Sequence, residues 1–271
     1  MGILNVTPDS FSDGGMYQDV DAALARTSEM IAEGARIVDV GGASSRPRGS
    51  AYGEGAAPVS VDEESARVVP VIREIVQRWP DVGISIDTWS ADVAERALDA
   101  GAHIINDITA LRGDSRMASV AGARHAPVIL MHSVGLPGDM PHDSPISDPV
   151  QEVYSGLSRA VAKAEEAGCT QIVLDPGLGF GKSTEGNLTL VRHLDVLRSM
   201  GWPILVGASR KTFIGRVLGS EENPAPVAER IAGGLGVAAA AVGAGARIVR
   251  THDVRETAHM LRLFRECQPV K

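Results

Sequence analysis

The chain has 271 residues, 44% of them hydrophobic, which supplies one sizeable core and excludes a disordered chain. With 26 Lys+Arg against 34 Asp+Glu the formal net charge is −8, a poor balance for a nucleic-acid partner. Cys169 and Cys267 have neither metal-ligand spacing nor a disulfide framework, and the opening MGILNVTPDSF is no signal peptide, so a reducing, cytoplasmic setting is expected.

In chain order, short apolar runs alternate with amphipathic ones. Strand 1 is read at 3–6 and its helix at 20–33. Strand 2 at 36–40 leads through a long Gly/Ser/Pro/Arg loop to a helix at 61–77. Strand 3 at 83–87 precedes a helix at 91–100, and strand 4 at 104–107 a shorter one at 116–123. Strand 5 at 128–131 is followed by a loop rich in Gly, Pro, His and Asp and a helix at 149–167. Strand 6 at 172–175 passes through a glycine-rich loop to a helix at 187–199. Strand 7 at 204–207 leads to a short helix at 211–218 and a main helix at 225–242; strand 8 at 248–250 and a helix at 254–265 end the series. The Gly/Ala run at 231–246 is too short to span a bilayer, which takes about 20 residues, and reads as a tightly packed helix.

A repeat organises these elements. EGARIVDV, DAGAHIINDI, EAGCTQIVLDP and GAGARIVRTHD each join a helix end to a strand, with glycines at Gly34, Gly101, Gly168 and Gly245. Glycine is favoured just past a helix because that position takes a left-handed backbone. The spacings of 67, 67 and 77 residues each hold two strand–helix units, and four pairs make eight. The expected fold is α/β, a (β/α)8 TIM barrel forming a single domain over 1–271, with its active site at the C-terminal rim of the strands. Loops 1, 2 and 5 exceed the usual strand–helix connection and leave that rim, as lids would.

The expected rim set is Asn5, Asp39, Asp87, Asn106, His132, Asp175, Ser209–Lys211 and Arg250–His252. Each has an ordinary explanation: Asp39 as a cap before Gly41-Gly42, Asn106 and Asp107 as acceptors for backbone amides, His132 as a packing residue. Convergence of Asp87, Asn106, Asp175, Lys211 and Arg250 is harder to explain without a ligand, because such groups are costly to desolvate. Carboxylates and an amide suit a flat heterocycle with an amidine-like donor edge; Arg46, Lys211, Arg250 and His252 suit a phosphate. GLGFGKST at Gly177 fails as a phosphate-binding P-loop because position 176 is Pro176, and GGLGVA at Gly233 lies inside a helix rather than after a strand. No Ser/His/Asp or Cys/His nucleophile pattern is evident in the sequence.

MGILNVTPDSFSDGG, VDVGGASSRP, SIDTW, INDITALRGD, LMH, DPGLGFGK, GASRKTFIG and RTHDV fall in order at the strand ends. Together they resemble the dihydropteroate synthase family of folate biosynthesis over nearly the whole chain. The resemblance implies a transferase that joins 6-hydroxymethyl-7,8-dihydropterin diphosphate to p-aminobenzoate and releases pyrophosphate, with Mg2+ assisting. It implies a pterin pocket of Asp87, Asn106, Met131, Asp175, Phe180, Lys211 and Arg250. Asn5, Arg46, Arg250 and His252 are implied for the diphosphate, with Asn5 also touching the metal. Phe11, Ser45, Pro47, Phe180, Ser209 and Lys211 are implied for p-aminobenzoate, and Asn5, Asp87, Asp175, Lys211, Arg250 and His252 as the catalytic set. It further implies a homodimer, sulfonamides as competitive inhibitors, and no membrane association.

The sequence departs from the family pattern at Ala43, where a Glu is usual, at Ser45 for Thr, at Ser133-Val134 after LMH, and in a longer RGSAYGEGAAP loop. Members usually carry residues before strand 1, so a trimmed chain or a different start is expected. The altered loop borders the p-aminobenzoate site, which makes altered sulfonamide sensitivity one reading and lineage drift the other. The rival functions are a pterin-binding methyltransferase barrel and a catalytically silent pterin-binding paralogue.

Overall fold

The computed structural model describes residues 1–6, 16–43, 59–141, 143–144 and 146–268. The elements alternate: β1 (Gly2–Asn5), α1 (Met16–Ala32), β2 (Ile37–Gly41), α2 (Val61–Arg78), β3 (Gly83–Asp87), α3 (Ala91–Asp99), β4 (Ile104–Asp107), α4 (Met117–Ala123), β5 (Val128–Met131) and α5 (Pro149–Glu166). They continue with β6 (Ile172–Asp175), α6 (Thr184–Arg192), α7 (Leu194–Arg198), β7 (Leu205–Val206), α8 (Thr212–Leu218), α9 (Ile231–Gly243), β8 (Ile248–Val249) and α10 (Val254–Glu266). β1 to β6 form one parallel sheet and β7 pairs with β8. Parallel bridges Leu174↔Ile204 and Gly2↔Thr251 join the two sheets on both sides and close an eight-stranded ring.

The repeated glycines do what their spacing suggested. Gly34, Gly101, Gly168 and Gly245 have φ between 87° and 113°. In each case the next residue donates back five positions, as in Ala35 N–H to Met30 O at 2.8 Å and Cys169 N–H to Ala164 O at 2.9 Å. These Schellman ends stop a helix and aim the chain into the next strand. Helix starts are capped by side chains: Ser60 accepts from Glu63 N–H, Ser90 from Val93 N–H, Asp148 from Val150 and Gln151 N–H, and Ser183 from Gly186 N–H.

Two helices read as continuous are broken. The 187–199 stretch divides at His193, whose backbone (φ −113°, ψ 31°) ends α6 before α7 begins. Leu190, Leu194 and Leu197 stay buried across the break, so the helical period persists while the hydrogen bonding does not. In the 225–242 stretch, Pro226 precedes a 3-10 turn at Val227–Glu229 and α9 starts only at Ile231. Buried Arg230 holds this turn, donating to Ala225 O at 2.7 Å and Arg210 O at 3.1 Å.

Strand register sorts side chains by function. Alternate residues (Leu4, Val38, Val40, Ile84, Ile86, Ile105, Val128, Leu130, Ile172, Leu174, Ile204 and Val206) belong to the apolar core under the helices. The residues between them face the barrel axis. Pairings Asn5↔Gly41↔Asp87↔Asn106 and Met131↔Asp175 put the last inward positions around one mouth. The register is staggered: Asn106 lies level with Ile129 and Ile129 with Val173, so Met131 and Asp175 stand one step further out, and Gly207 and Arg250 follow β7 and β8 directly. One step below Asn5, Gly41 and Asp87 lie Ile3, Asp39 and Ser85, with Ile104 beside Ser85.

Candidate active site at the barrel mouth

Five of the residues expected at the site (Asn5, Asp87, Asn106, Met131 and Asp175) are the last inward-facing positions of their strands, and Arg250 follows β8 directly. Gly41 and Gly207 fill the other two places and leave room. A Cβ at Gly41 would lie 3.5 Å from Asp87 Cβ and 3.9 Å from Asn5 Oδ1, so that glycine separates the amide from the carboxylate.

One cluster fixes the floor. Arg250 Nε donates to Asp39 Oδ2 and its Nη2 to Asp87 Oδ2, both at 2.6 Å. Asn106 Nδ2 donates to the same Asp39 oxygen at 3.0 Å. Burial opposes the Arg250 charge, but Asp39 and Asp87 outweigh it and hold the guanidinium above its ordinary value. Asp39 is fully buried, and its Oδ1 and the neighbouring Ser85 Oγ have no partner among the described residues. Asp39 thus organises the site rather than capping a loop. The signal for it in the sequence was an acid inside VDVG, a strand otherwise apolar on both faces. Of the adjacent pair Asn106-Asp107, only Asp107 satisfies backbone amides: it accepts from Thr109 N–H and Leu111 N–H at 2.8 Å and shapes the loop after β4.

Asp175 faces the mouth, with Oδ1 accepting from Gly177 N–H at 2.7 Å. Burial pushes it up to about 6, although Gly177 N–H, Lys211, Arg250 and Lys182 pull the other way. Burial likewise raises Asp87 to about 7, against the pull of Arg250. Lys211 lies over the Phe180 ring, 3.8 Å from its centre. Burial, then Arg250, lowers Lys211 to about 8. Two carboxylates and an amide therefore share the mouth with two cations, one of them paired with Asp87, and Met131 and Phe180 bring apolar surface beside them.

His252 and Ser209 lie beside the mouth. Ser209 Oγ is 3.0 Å from His252 Nδ1, accepts from His252 N–H at 3.1 Å and donates to Asp253 Oδ2 at 3.2 Å. A Ser, a His and an Asp do meet here, contrary to the sequence reading. They form no nucleophile relay, because the carboxylate touches the hydroxyl instead of orienting the imidazole. Burial, then Arg210, Arg250 and Lys211, depresses His252 to about 4. It is therefore neutral at pH 7 and would meet an anion as a hydrogen-bond donor. α8 begins at Thr212, with Lys211 as its cap, and has seven residues.

Lys182, dismissed with the false P-loop, is buried with its ammonium on backbone carbonyls. His132 is a buried packing residue, lowered to about 3 mainly by burial. Phe11, Ser45, Arg46 and Pro47 lie outside the described residues, as does most of the altered loop after β2. Among the described residues no group of three or more His, Cys, Asp or Glu forms a metal cage. No helix among the described residues is long and apolar enough to cross a membrane.

The family described as "Pterin binding enzyme" matches residues 1–252. A dihydropteroate synthase of Bacillus subtilis is 44% identical over 97% of this chain and 86% of its own length. A Xanthomonas albilineans dihydropteroate synthase solved with 4-aminobenzoic acid superposes with a TM-score of 0.88, at 40% identity over 100% of this chain and 93% of that one. A Yersinia pestis dihydropteroate synthase in a sulfonamide complex gives 0.87, at 40% identity over 98% and 92%. With this likeness running from β1 through β8, the chain belongs to the pterin-binding enzyme family and, within it, to the dihydropteroate synthases.

Proposed function

We propose that the barrel mouth joins 6-hydroxymethyl-7,8-dihydropterin diphosphate to p-aminobenzoate, giving 7,8-dihydropteroate and pyrophosphate. The observation that carries this reading is the convergence at one mouth of Asp87, Asn106 and Asp175 with Lys211 and Arg250. A pterin offers a matching edge, with amino and ring N–H donors facing carboxylates and carbonyl or ring-nitrogen acceptors facing Lys211. Ionised Asp175 takes the donor edge in two parallel hydrogen bonds. Arg250, held by Asp39 and Asp87, presents its flat guanidinium to the ring face. Met131 and Phe180 pack on the remaining ring surface.

In the reaction the methylene C–O bond to diphosphate breaks, the aniline nitrogen forms the new C–N bond, and that nitrogen loses one proton. The pterin ring shares the positive charge that develops on carbon, so the route is dissociative. The neutral aniline needs no strong base, in keeping with a mouth that lacks a nucleophile relay. Arg250, Arg46 and His252 stabilise charge on the departing diphosphate, with His252 acting as a neutral hydrogen-bonding group. Phe11, Ser45, Pro47 and Phe180 enclose the p-aminobenzoate ring, and Ser209 and Lys211 receive its carboxylate. A carbon isotope effect at the methylene typical of concerted displacement would contradict the dissociative route.

Mg2+ fits this donor set. Asn5 presents an exposed amide oxygen at the end of β1, and no protein-only cage competes among the described residues. Magnesium prefers oxygen, keeps several waters and commonly binds through substrate phosphates plus one or two protein groups. Bound there, it would neutralise diphosphate charge, while Asn5 fixes its place. Sulfonamides should compete as p-aminobenzoate mimics, and the protein should act as a homodimer in the cytoplasm. Mixing the two substrates with Mg2+ should release pyrophosphate in step with dihydropteroate. Methyl transfer from a methylated folate without pyrophosphate would favour the methyltransferase reading, and pterin binding without turnover the silent paralogue.

A further inference from the structure

The loop after β6 is the most constrained segment at the mouth. Gly177, Gly179 and Gly181 have φ of 65°, 80° and 75°. A Cβ on Gly177 would fall on the His132 carbonyl oxygen, and one on Gly179 would lie 2.9 Å from Lys211 Cδ. The chain here is bent so that backbone, not side chain, touches the loop after β5 and the stem of Lys211.

Lys182 closes that bend. Its side chain turns inward and donates to Gly177 O at 2.8 Å, His132 O at 3.0 Å and Phe180 O at 3.2 Å. Three carbonyls meet the three N–H bonds of one ammonium, a match that planar guanidinium cannot reproduce. Two of the carbonyls belong to the loop after β6 and one to the loop after β5. The same two loops are zipped by Val134 N–H to Phe180 O at 3.4 Å and Ser144 N–H to Gly181 O at 3.2 Å. From below, Asn187 Oδ1 accepts from Gly179 N–H at 2.7 Å, and its Nδ2 donates to Lys182 O at 3.1 Å.

We infer that Lys182 is a positioning residue for the pterin site: its buried side chain buckles the loops after β5 and β6 together and seats Phe180 under Lys211. This rests on the pterin reading of the mouth. The charges around Asp175 are Lys182, Lys211 and Arg250; those around Lys182 are Asp175, Lys211, Arg112 and Glu152. Burial already lifts Asp175 to about 6, so losing one of its three cations moves it further up, toward neutral pH. A protonated Asp175 cannot accept two hydrogen bonds from a ligand's donor edge.

The test is calorimetric binding of 6-hydroxymethyl-7,8-dihydropterin diphosphate with Mg2+ from about pH 5 to 8.5, for wild type, Lys182→Met and Lys182→Gln. Gln keeps an N–H donor without charge, which guards against simple collapse of the loop. Expected are about a tenfold or greater loss of affinity at pH 7 in Lys182→Met and an acid limb displaced to higher pH in both variants. A residue that merely packs would not move that limb in the Gln variant. Wild-type affinity in Lys182→Met, or an acid limb left in place in both variants, overturns the inference. Asp175→Asn runs alongside: if wild type itself fails to bind the pterin diphosphate, the proposed function fails instead.

Discussion

Replacing Asp39 by Asn should weaken both the fold and the site. The carboxylate is fully buried and holds Arg250 at 2.6 Å and Asn106 at 3.0 Å through one oxygen. Removing one member of a buried ion pair costs about 3–5 kcal/mol, because the other charge stays behind in a poorly solvated place. Arg250 keeps Asp87 at 2.6 Å, and its side chain is 18% exposed, so the low end of about 3 kcal/mol applies. At roughly 2–4 °C per kcal/mol for a chain of this size, the unfolding midpoint should fall by about 6–12 °C. Pterin diphosphate should bind at least about tenfold more weakly, since Arg250 and Asn106 lose a shared anchor. Thermal unfolding and calorimetric titration measure the two effects. Glu74→Ala is the control: its pair with Arg78 is 40% and 51% exposed on the two sides, and its loss should stay below about 1 kcal/mol. An Asp39→Asn protein matching wild type in both assays would refute the buried cluster as the organiser of the site.

Gly168→Ala meets no atom within 4 Å and should cost only the left-handed backbone penalty, about 1–2 kcal/mol, whereas Gly177→Ala adds a collision with the His132 carbonyl and should cost clearly more in urea unfolding. Asp175→Asn should stabilise the ligand-free protein at pH 8. Its folded value of about 6 exceeds the unfolded value of about 3.9, so the ionisation penalty is fully present above about pH 6 and is relieved as pH falls through that range. The difference from wild type, on the order of 3 kcal/mol at most, should vanish below about pH 4, and a variant no more stable than wild type at pH 8 would contradict it. Asn5→Ala should leave the unfolding midpoint unchanged, because the side chain is exposed, while raising the Mg2+ concentration needed for half-maximal turnover.

Much of this was legible in the sequence because two periodicities coincide. The helix-end glycines mark the barrel's pairing, and the last polar residue of each apolar run marks the mouth. Six of the expected residues therefore surround the mouth. Asp39 was undervalued because nothing local shows that it faces Arg250, 211 positions away. Lys182 was misjudged because a glycine-rich loop with lysine suggests phosphate, and only the fold shows its ammonium turned onto carbonyls. The break at His193 was hidden by leucines that keep helical spacing on both sides. The neutral state of His252 depends on burial and on Arg210, Arg250 and Lys211, none of which a linear reading brings together.

The most direct test of the acidic cradle is turnover by Asp175→Ala. With both substrates and Mg2+, wild type should release pyrophosphate and form dihydropteroate. The variant should fold, yet bind the pterin diphosphate far more weakly and lose roughly a hundredfold or more in kcat/KM, the equivalent of two hydrogen bonds to a charged group. Unaltered affinity and turnover in Asp175→Ala would contradict the account.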